Sequence, residues 1–281
     1  ATGLTPEYET DPIGLATTRP RFSWRLESGG PSTEIQLAYE IEVASGVHVI
    51  WKTAMVKSAA QVLVPYAGPD LTSRQQCTWR VRVWAGEPGA EPTMPGPWSE
   101  PASFEMSLLR TDDWAGTAWI SSPHESARPP TRRLRRWQRS ADRPSPLLRK
   151  EFEVKQGDDI ADARLYCSAL GIYDIEINGT SVSNDRLRPG FTAYDHRIQH
   201  QTYDVSALLI EGRNTIGITL ADGWWRGRVG VFRKPNNWGT NVAAIARLEA
   251  GHRTLVQSDS CLLYTSPSPR DVEESRMPSS A

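Results

Sequence analysis

The stretch Cys77-Thr78-Trp79-Arg80-Val81-Arg82-Val83-Trp84 alternates residue by residue. A period of two sends Cys77, Trp79, Val81 and Val83 to one face and Thr78, Arg80, Arg82 and Trp84 to the other, which describes a half-buried strand and not a helix. The pattern recurs. Tyr39, Ile41 and Val43 share a face within 38–43, as do Tyr173, Ile175 and Ile177 within 172–177, and Ile216, Ile218 and Leu220 within 215–220. The chain also holds 21 prolines. Proline lacks an N–H and breaks helices, so this content fits short strands joined by turns. An all-β fold follows. With 281 residues, the chain is long enough for about two domains of roughly 100–150 residues each.

The pattern divides the chain. Residues 1–108 read as one β-sandwich, closing with a strand near Trp98–Phe104. Residues 109–146 read as a connector: Asp112–Ile120 is expected to pack on a neighbour, and a Pro- and Arg-rich stretch (Arg132, Arg133, Arg135, Arg136, Arg139, Arg143, with Trp137) follows. Residues 147–259 read as a second, jelly-roll-like sandwich. Within it, Asn178-Gly179 tolerates the positive φ angles of a type I′ hairpin turn. A second hairpin is expected around Gly251, and only Val205–Leu209 suggests a helical turn. Residues 260–281 break the plan, because the Ser-Pro pairs at 266–269 cannot sit in a central strand. This segment resembles translated sequencing-adapter read-through and is expected to lie outside the sandwich, as an artefact or a disordered tail.

Several classes of function are disfavoured. Lys+Arg (32) and Asp+Glu (33) cancel to a net charge of −1, so no global field selects nucleic acid or an anionic membrane. The arginine-rich stretch with its interleaved tryptophan has the composition of a nucleic-acid patch, but a solvated surface loop is the better reading in a near-neutral chain. No apolar run approaches the roughly 20 residues that span a bilayer. The three cysteines (Cys77, Cys167, Cys261) are far apart and odd in number, and His48, His124, His196, His200 and His252 lack ligand spacing. Neither a disulfide framework nor a zinc site is expected. The chain opens Ala-Thr-Gly-Leu, without an initiator Met or a signal peptide. Its start is therefore expected to be incomplete, and the compartment, cytoplasmic or secreted, stays open.

The first domain holds the phrases Asp11-Pro12-Ile13-Gly14-Leu15, Arg19–Trp24, Val64–Leu71 and Trp79–Trp84. The second holds Leu170-Gly171-Ile172-Tyr173, Leu187–Thr192, Gln201–Val205 and Asp222-Gly223-Trp224-Trp225-Arg226-Gly227. Spread in this order from about residue 4 to 259, they together resemble the N-terminal region of bacterial α-L-rhamnosidases. The resemblance implies a fibronectin-III/immunoglobulin-like sandwich followed by a jelly-roll-like (galactose-binding-like) sandwich. The order of strands in the first domain also resembles a fibronectin type III domain, with Cys77 in place of the tyrosine of that family's corner. Where the rhamnosidase family usually has Tyr and Trp, this chain has Trp225 and Phe191. The family's Asp-Gly-Pro-x-Arg-Asp-Arg signature, borne by an (α/α) barrel that follows the sandwiches, is absent. The resemblance thus implies the accessory region of an inverting glycoside hydrolase, inactive alone, with a rhamnose-containing glycan or glycoside and the barrel of the same polypeptide as its partners. The alternatives are a stand-alone carbohydrate-binding module and a structural spacer.

No catalytic residue can be assigned. Hydrolysis needs two carboxyl groups facing one glycosidic bond. Asp174 and Glu176 fall on one strand face at roughly 7 Å, but exposed strands arrange such pairs routinely. Sugar binding needs an aromatic platform beside groups that read hydroxyls. Asp222, Trp224, Trp225 and Arg226 offer that composition, with Asn236 and Trp238 near in sequence and Asp185 in a polar loop. In an extended backbone Trp224 and Trp225 point to opposite faces, one to the core and one outward. The competing reading is that both only pack. No cofactor is expected, with calcium left open. Some relatives carry a calcium-using rhamnose-binding module, whose ligands find no residue-by-residue match here.

Overall fold

Each alternating segment becomes a strand. The computed structural model describes residues 1–27, 33–122, 145–231, 235–251, 253–260 and, for the backbone, 263–265. The arginines at 132–143 lie outside these residues. The chain divides into two compact units, Ala1–Trp114 and Ala115–Ala281.

The first unit contains β1 (Thr2–Pro6), β2 (Ile13–Leu15), β3 (Arg21–Arg25), β4 (Ile35–Ser45), β5 (His48–Lys52), β6 (Val56–Lys57), β7 (Val64–Pro65), β8 (Gln76–Gly86) and β9 (Ala102–Met106). One sheet runs β1-β3-β7 and the other β2-β9-β8-β4-β5, with β6 also paired to β4. The register between β4 and β8 sets Tyr39 opposite Val83, Ile41 opposite Val81 and Val43 opposite Trp79. These side chains are buried, and Phe22 stacks on Trp79 at 4.3 Å between ring centroids. The same register pairs the charges on the outer face. Arg82 Nη2 meets Glu40 at 2.6 Å, Arg80 Nη2 meets Glu42 at 2.6 Å, and Trp98 lies over both guanidinium groups at 4.8 and 4.7 Å. A buried polar side chain must find partners, and Gln36 does so. It accepts from Trp24 Nε1 at 2.9 Å and donates to the Ser58 and Ala60 carbonyls at 3.0 and 2.9 Å. At Cys77, burial pushes the thiol up to about 11.

The second unit contains β10 (Leu147–Val154), β11 (Arg164–Leu170), β12 (Ile172–Ile177), β13 (Thr180–Ser181), β14 (Gln201–Asp204), β15 (Gly212–Ala221), the single helical turn α1 (Gly223–Arg226), β16 (Ala243–Ala250), β17 (Arg253–Gln257) and β18 (Leu263–Thr265). A five-stranded sheet, β13-β12-β15-β10-β18, faces a four-stranded one, β14-β11-β16-β17. Their chemistry is complementary. Ile175, Ile177, Ile216 and Ile218 fill the space left by Ala169, Ala244 and Ala246 in one core, and large-against-small packing reaches interior density. Asn178 (φ 52°) and Gly179 (φ 78°) both have positive φ in the β12–β13 turn.

The start of the connector, residues 109–122, lies within the described residues and is held by hydrogen bonds. At its start, Asp113 is tied into the first unit by Ser73 Oγ at 2.5 Å, Arg74 Nη1 at 3.0 Å and the Arg110 amide at 2.8 Å. Farther on, the Ala118 amide donates to Ser258 O, and Ile120 exchanges two 2.8 Å hydrogen bonds with Ala244 on β16. The backbone pairs wherever ladder groups are open, and this edge of β16 offered such groups. The tail expectation also needs correction. Leu263–Thr265 pairs antiparallel with Leu147–Arg149 as the edge strand β18. Three residues suffice for an edge, and the Ser-Pro pairs follow it, outside the described residues.

Candidate functional site

The sequence 222–227 folds as a helical turn, not as a strand. The Arg226 amide reaches Asp222 O at 3.1 Å and the Gly227 amide reaches Gly223 O at 3.2 Å. Gly223 permits the turn: its φ is 51°, and a Cβ there would come within 3.0 Å of Ile172 Cγ2. One turn brings residues four apart onto the same side. Arg226 therefore grips Asp222, with Nε at 2.8 Å and Nη2 at 2.6 Å, both on Oδ1. Arg226 Nη1 also donates to Thr240 O at 3.3 Å, and the side chain is 2% exposed. Arg226 is thus an internal clamp and not a reader of ligand hydroxyls, which corrects the sequence expectation. Asp222 remains 39% exposed, and both bonds from Arg226 fall on Oδ1, leaving the lone pairs of Oδ2.

The helical turn also overturns the expectation that Trp224 and Trp225 part to opposite faces. Both join one aromatic group. Trp225 meets Tyr194 edge-on at 5.4 Å, and Trp224 meets Phe191 at 6.0 Å. Trp238 closes the set, at 5.6 Å from Phe191 and 5.2 Å from Tyr194. Trp225 is fixed by its Nε1 bond to Asn241 O at 2.9 Å. Gly239 is required beside it, because a Cβ there would overlap the indole ring. The Asn236 amide bonds to Arg226 O at 3.0 Å and the Trp238 amide to Trp225 O at 3.3 Å, so the segment carrying them folds back along α1. Asn236 itself is exposed. Phe191 is the open ring of the group, 55% exposed, with Trp224 and Trp238 inclined to it by 58° and 71°.

Phe191 and Tyr194 ride on the loop between β13 and β14, and a buried network holds that loop. Arg188, 3% exposed, places Nη2 2.5 Å from Asp174 Oδ1 and lies 5.2 and 5.5 Å from the ring centroids of Tyr173 and Tyr203. Tyr173 Oη donates to Gln201 Oε1 at 2.8 Å, and Gln201 Nε2 donates to Pro189 O at 3.0 Å. Cys167 Sγ donates to Tyr173 Oη at 3.2 Å. Burial pushes the Tyr173 phenol upward and the Cys167 thiol up to about 12, so both stay protonated at neutral pH.

Of the residues expected from sequence, Trp224, Trp225 and Trp238 come together, Asp222 is bound to Arg226 at the start of the turn, and Asn236 lies on the flanking segment. Asp185 does not join them: it is exposed, its amide is held by Ser183 Oγ at 3.0 Å, and among the described residues no contact ties its side chain to the aromatic group. Sequence reasoning missed Phe191 and Tyr194 as members of the group. Their signal was present, as aromatic residues just after Pro189-Gly190 in an otherwise polar loop. Among the described residues, no three His, Cys, Asp or Glu side chains gather as metal ligands.

Comparison with known proteins matches both sandwiches. Residues 1–110 match the family described as "Rha78A-like, N-terminal immunoglobulin domain", and residues 158–270 match "Alpha-L-rhamnosidase N-terminal domain". The chain carries the N-terminal domains of the α-L-rhamnosidase family. Among its relatives, an α-L-rhamnosidase of Formosa agariphila is 34% identical over 277 residues, spanning 94% of this chain and 28% of that protein. One from Alteromonas sp. is 33% identical over 235 residues, spanning 81% of this chain and 24% of that protein. The crystal structure of an α-L-rhamnosidase from Aspergillus terreus superposes with a TM-score of 0.77 at 32% identity, covering 94% of this chain and 29% of that one. This chain therefore spans roughly a quarter of the length of these family members.

Proposed function

We propose that this chain is the accessory region of an enzyme that hydrolyses terminal α-L-rhamnose from glycosides, and that the bond-breaking groups lie outside these two sandwiches. One observation carries the reading: relatives named α-L-rhamnosidase match across both domains, yet the match takes up only 28% of the Formosa protein. The acidic side chains of the sandwiches support it. Asp174 is committed to Arg188, Glu40 to Arg82 and Lys52, and Glu42 to Arg80 and Lys52. A carboxylate tied to neighbouring cations in this way is not aimed at a glycosidic bond, as the acid and the base of inversion must be.

The test compares this chain with the full reading frame on an aryl α-L-rhamnoside. The longer protein is expected to release rhamnose and this chain to release none. Turnover by this chain at the longer protein's rate would refute the reading, and so would a longer protein without activity. The half-exposed aromatic group supports a second role, recognition of the glycoside itself.

A further inference from the structure

We infer that the aromatic face of the second unit, Phe191 with Trp224 and Trp238, is a docking surface for the polypeptide that follows this region in a longer protein. The rings are surplus to the sandwich. The core between its two sheets is filled by side chains such as Ile175, Ile218 and Leu248, and among the described residues none of the aromatic group belongs to it. Phe191 is 55% exposed, Leu187 in the same loop 56%, and Val231 beyond α1 93%. A domain that works alone rarely leaves a cluster of half-open rings in water, and aromatic side chains concentrate where one folded surface meets another. The face is also built in advance. Trp225 is fixed on Asn241 O, and the loop carrying Phe191 is tied down through Arg188 and Gln201. A rigid surface loses little freedom when it is covered.

Strand register decides which occupant can reach it. Thr265 on β18 stands opposite Leu147 on β10, and Leu147 stands opposite Thr219 on β15. From there β15 runs on to Ala221, and α1 begins at Gly223. On the other side of β15, Leu220 pairs with Tyr173, which bridges to Arg188 at the root of the Phe191 loop. Because β18 is antiparallel to β10, the chain leaves it travelling toward the end of the sheet that carries both α1 and that loop. The distance from β15 is two strand spacings, roughly 10 Å. The inference rests on the function proposed above in one respect, that more polypeptide follows: residues 158–270 match an N-terminal domain, and this chain takes up only 28% of the Formosa relative. A domain starting from this end is held beside the rings by a covalent link, and its effective concentration there exceeds that of any second copy. Such cover would exclude a glycoside from the same rings.

Hydroxyl-radical footprinting tests this by comparing the chain with the product of the full reading frame at equal radical dose, reading Phe191, Trp224 and Trp238 by peptide mass spectrometry. Oxidation of the three is expected to be at least tenfold slower in the longer protein. Phe191→Asp in the longer protein should return Trp238 to the rate it has in this chain, because a carboxylate cannot be buried unpaired in an apolar contact. Phe191 is half exposed in the sandwich, so the variant should fold, which far-UV circular dichroism of this chain carrying the same substitution checks. Equal oxidation in the two proteins overturns the docking surface, and so does protection of Trp238 that survives Phe191→Asp. Protection that appears in this chain alone as its concentration rises makes a second copy the occupant, and protection of this chain alone by methyl α-L-rhamnoside makes it a sugar; either outcome overturns the assignment. Footprinting needs no turnover. An inactive longer protein with covered rings therefore removes the hydrolase reading and keeps the docking surface, and an active one with open rings does the reverse.

Discussion

Gly171 is the residue on which the second sandwich turns, and Gly171→Ala probes it. This single residue separates β11 from β12 and carries the chain from one sheet into the other. Its φ of 130° lies where an L side chain costs about 1–3 kcal/mol. A Cβ would also fall inside 3.0 Å of the Ala221 carbonyl oxygen and 3.1 Å from Val242 Cγ1. Relief requires β12 to draw away from β15 at the Ile172–Ala221 pair, loosening Ile175 and Ile177, and such overpacking adds about 1–3 kcal/mol. Alanine should therefore cost about 2–6 kcal/mol, against a total stability of about 5–15 kcal/mol for a domain. Gly157 supplies the comparison. Its φ is 84° but nothing lies within 4 Å of a Cβ there, so Gly157→Ala should cost only the backbone term, about 1–2 kcal/mol. Urea unfolding, read through hydrogen exchange of the β15 amides, separates the two. With a slope of about 2 kcal/mol per molar, the midpoint should fall by about 1–3 M for Gly171→Ala and by less than about 1 M for Gly157→Ala. Equal shifts would mean that the clash with Ala221 has no consequence and that the corner does not depend on glycine.

Tyr173→Phe removes the donor to Gln201 Oε1; a part-buried acceptor left unpaired should cost about 1–3 kcal/mol, read by thermal melting, and a loss below 0.5 kcal/mol on that scale would count against the buried network. For Asp113, burial alone would raise the carboxyl, but hydrogen bonds from Ser73, the Arg110 amide and Arg74 outweigh it and hold the group below its ordinary 3.8. A folded-state value below the unfolded one adds stability above the unfolded value that is lost as pH falls through the folded one. The stability gap between the native chain and Asp113→Asn in the first unit should therefore be constant near neutrality and shrink below about pH 4; a gap that persists at pH 2 refutes the assignment. The buried thiols of Cys77 and Cys167, pushed up to about 11 and about 12 by desolvation, should resist a disulfide reagent at pH 8, since the thiolate is the reactive form. Rapid labelling of either cysteine in the folded protein, read by peptide mass spectrometry, would contradict the burial.

The strands were legible because a sheet with one buried face imposes a period of two that nothing else mimics, and Trp79-Val81-Val83 and Ile216-Ile218-Leu220 read correctly on that ground alone. The Asn178-Gly179 turn was legible for an equally local reason. What the sequence hid depended on groups far apart in the chain. Trp224 and Trp225 looked as if they diverge because the extended backbone was assumed, whereas the helical turn needs Gly223 to fit against Ile172. Arg226 looked like a hydroxyl reader because its burial depends on Thr240 and on the fold-back at Asn236. Residues 118–120 were expected to pack, but on which neighbour was hidden, because their partners, Ala244 and Ser258, lie more than a hundred positions away. The aromatic group was half visible: its three tryptophans came from composition, but Phe191 and Tyr194 reach it only through a loop that Arg188 and Gln201 hold down.

The short strand at Leu263–Thr265 bears on where this polypeptide can be shortened. Its backbone occupies the ladder positions of Leu147–Arg149. A version stopping at Asp259 keeps the described core, which ends at Val256, yet uncovers those N–H and C=O groups, and an uncovered strand margin recruits other chains. Such a version should self-associate as its concentration rises. The useful terminus for handling this protein therefore lies no earlier than Thr265.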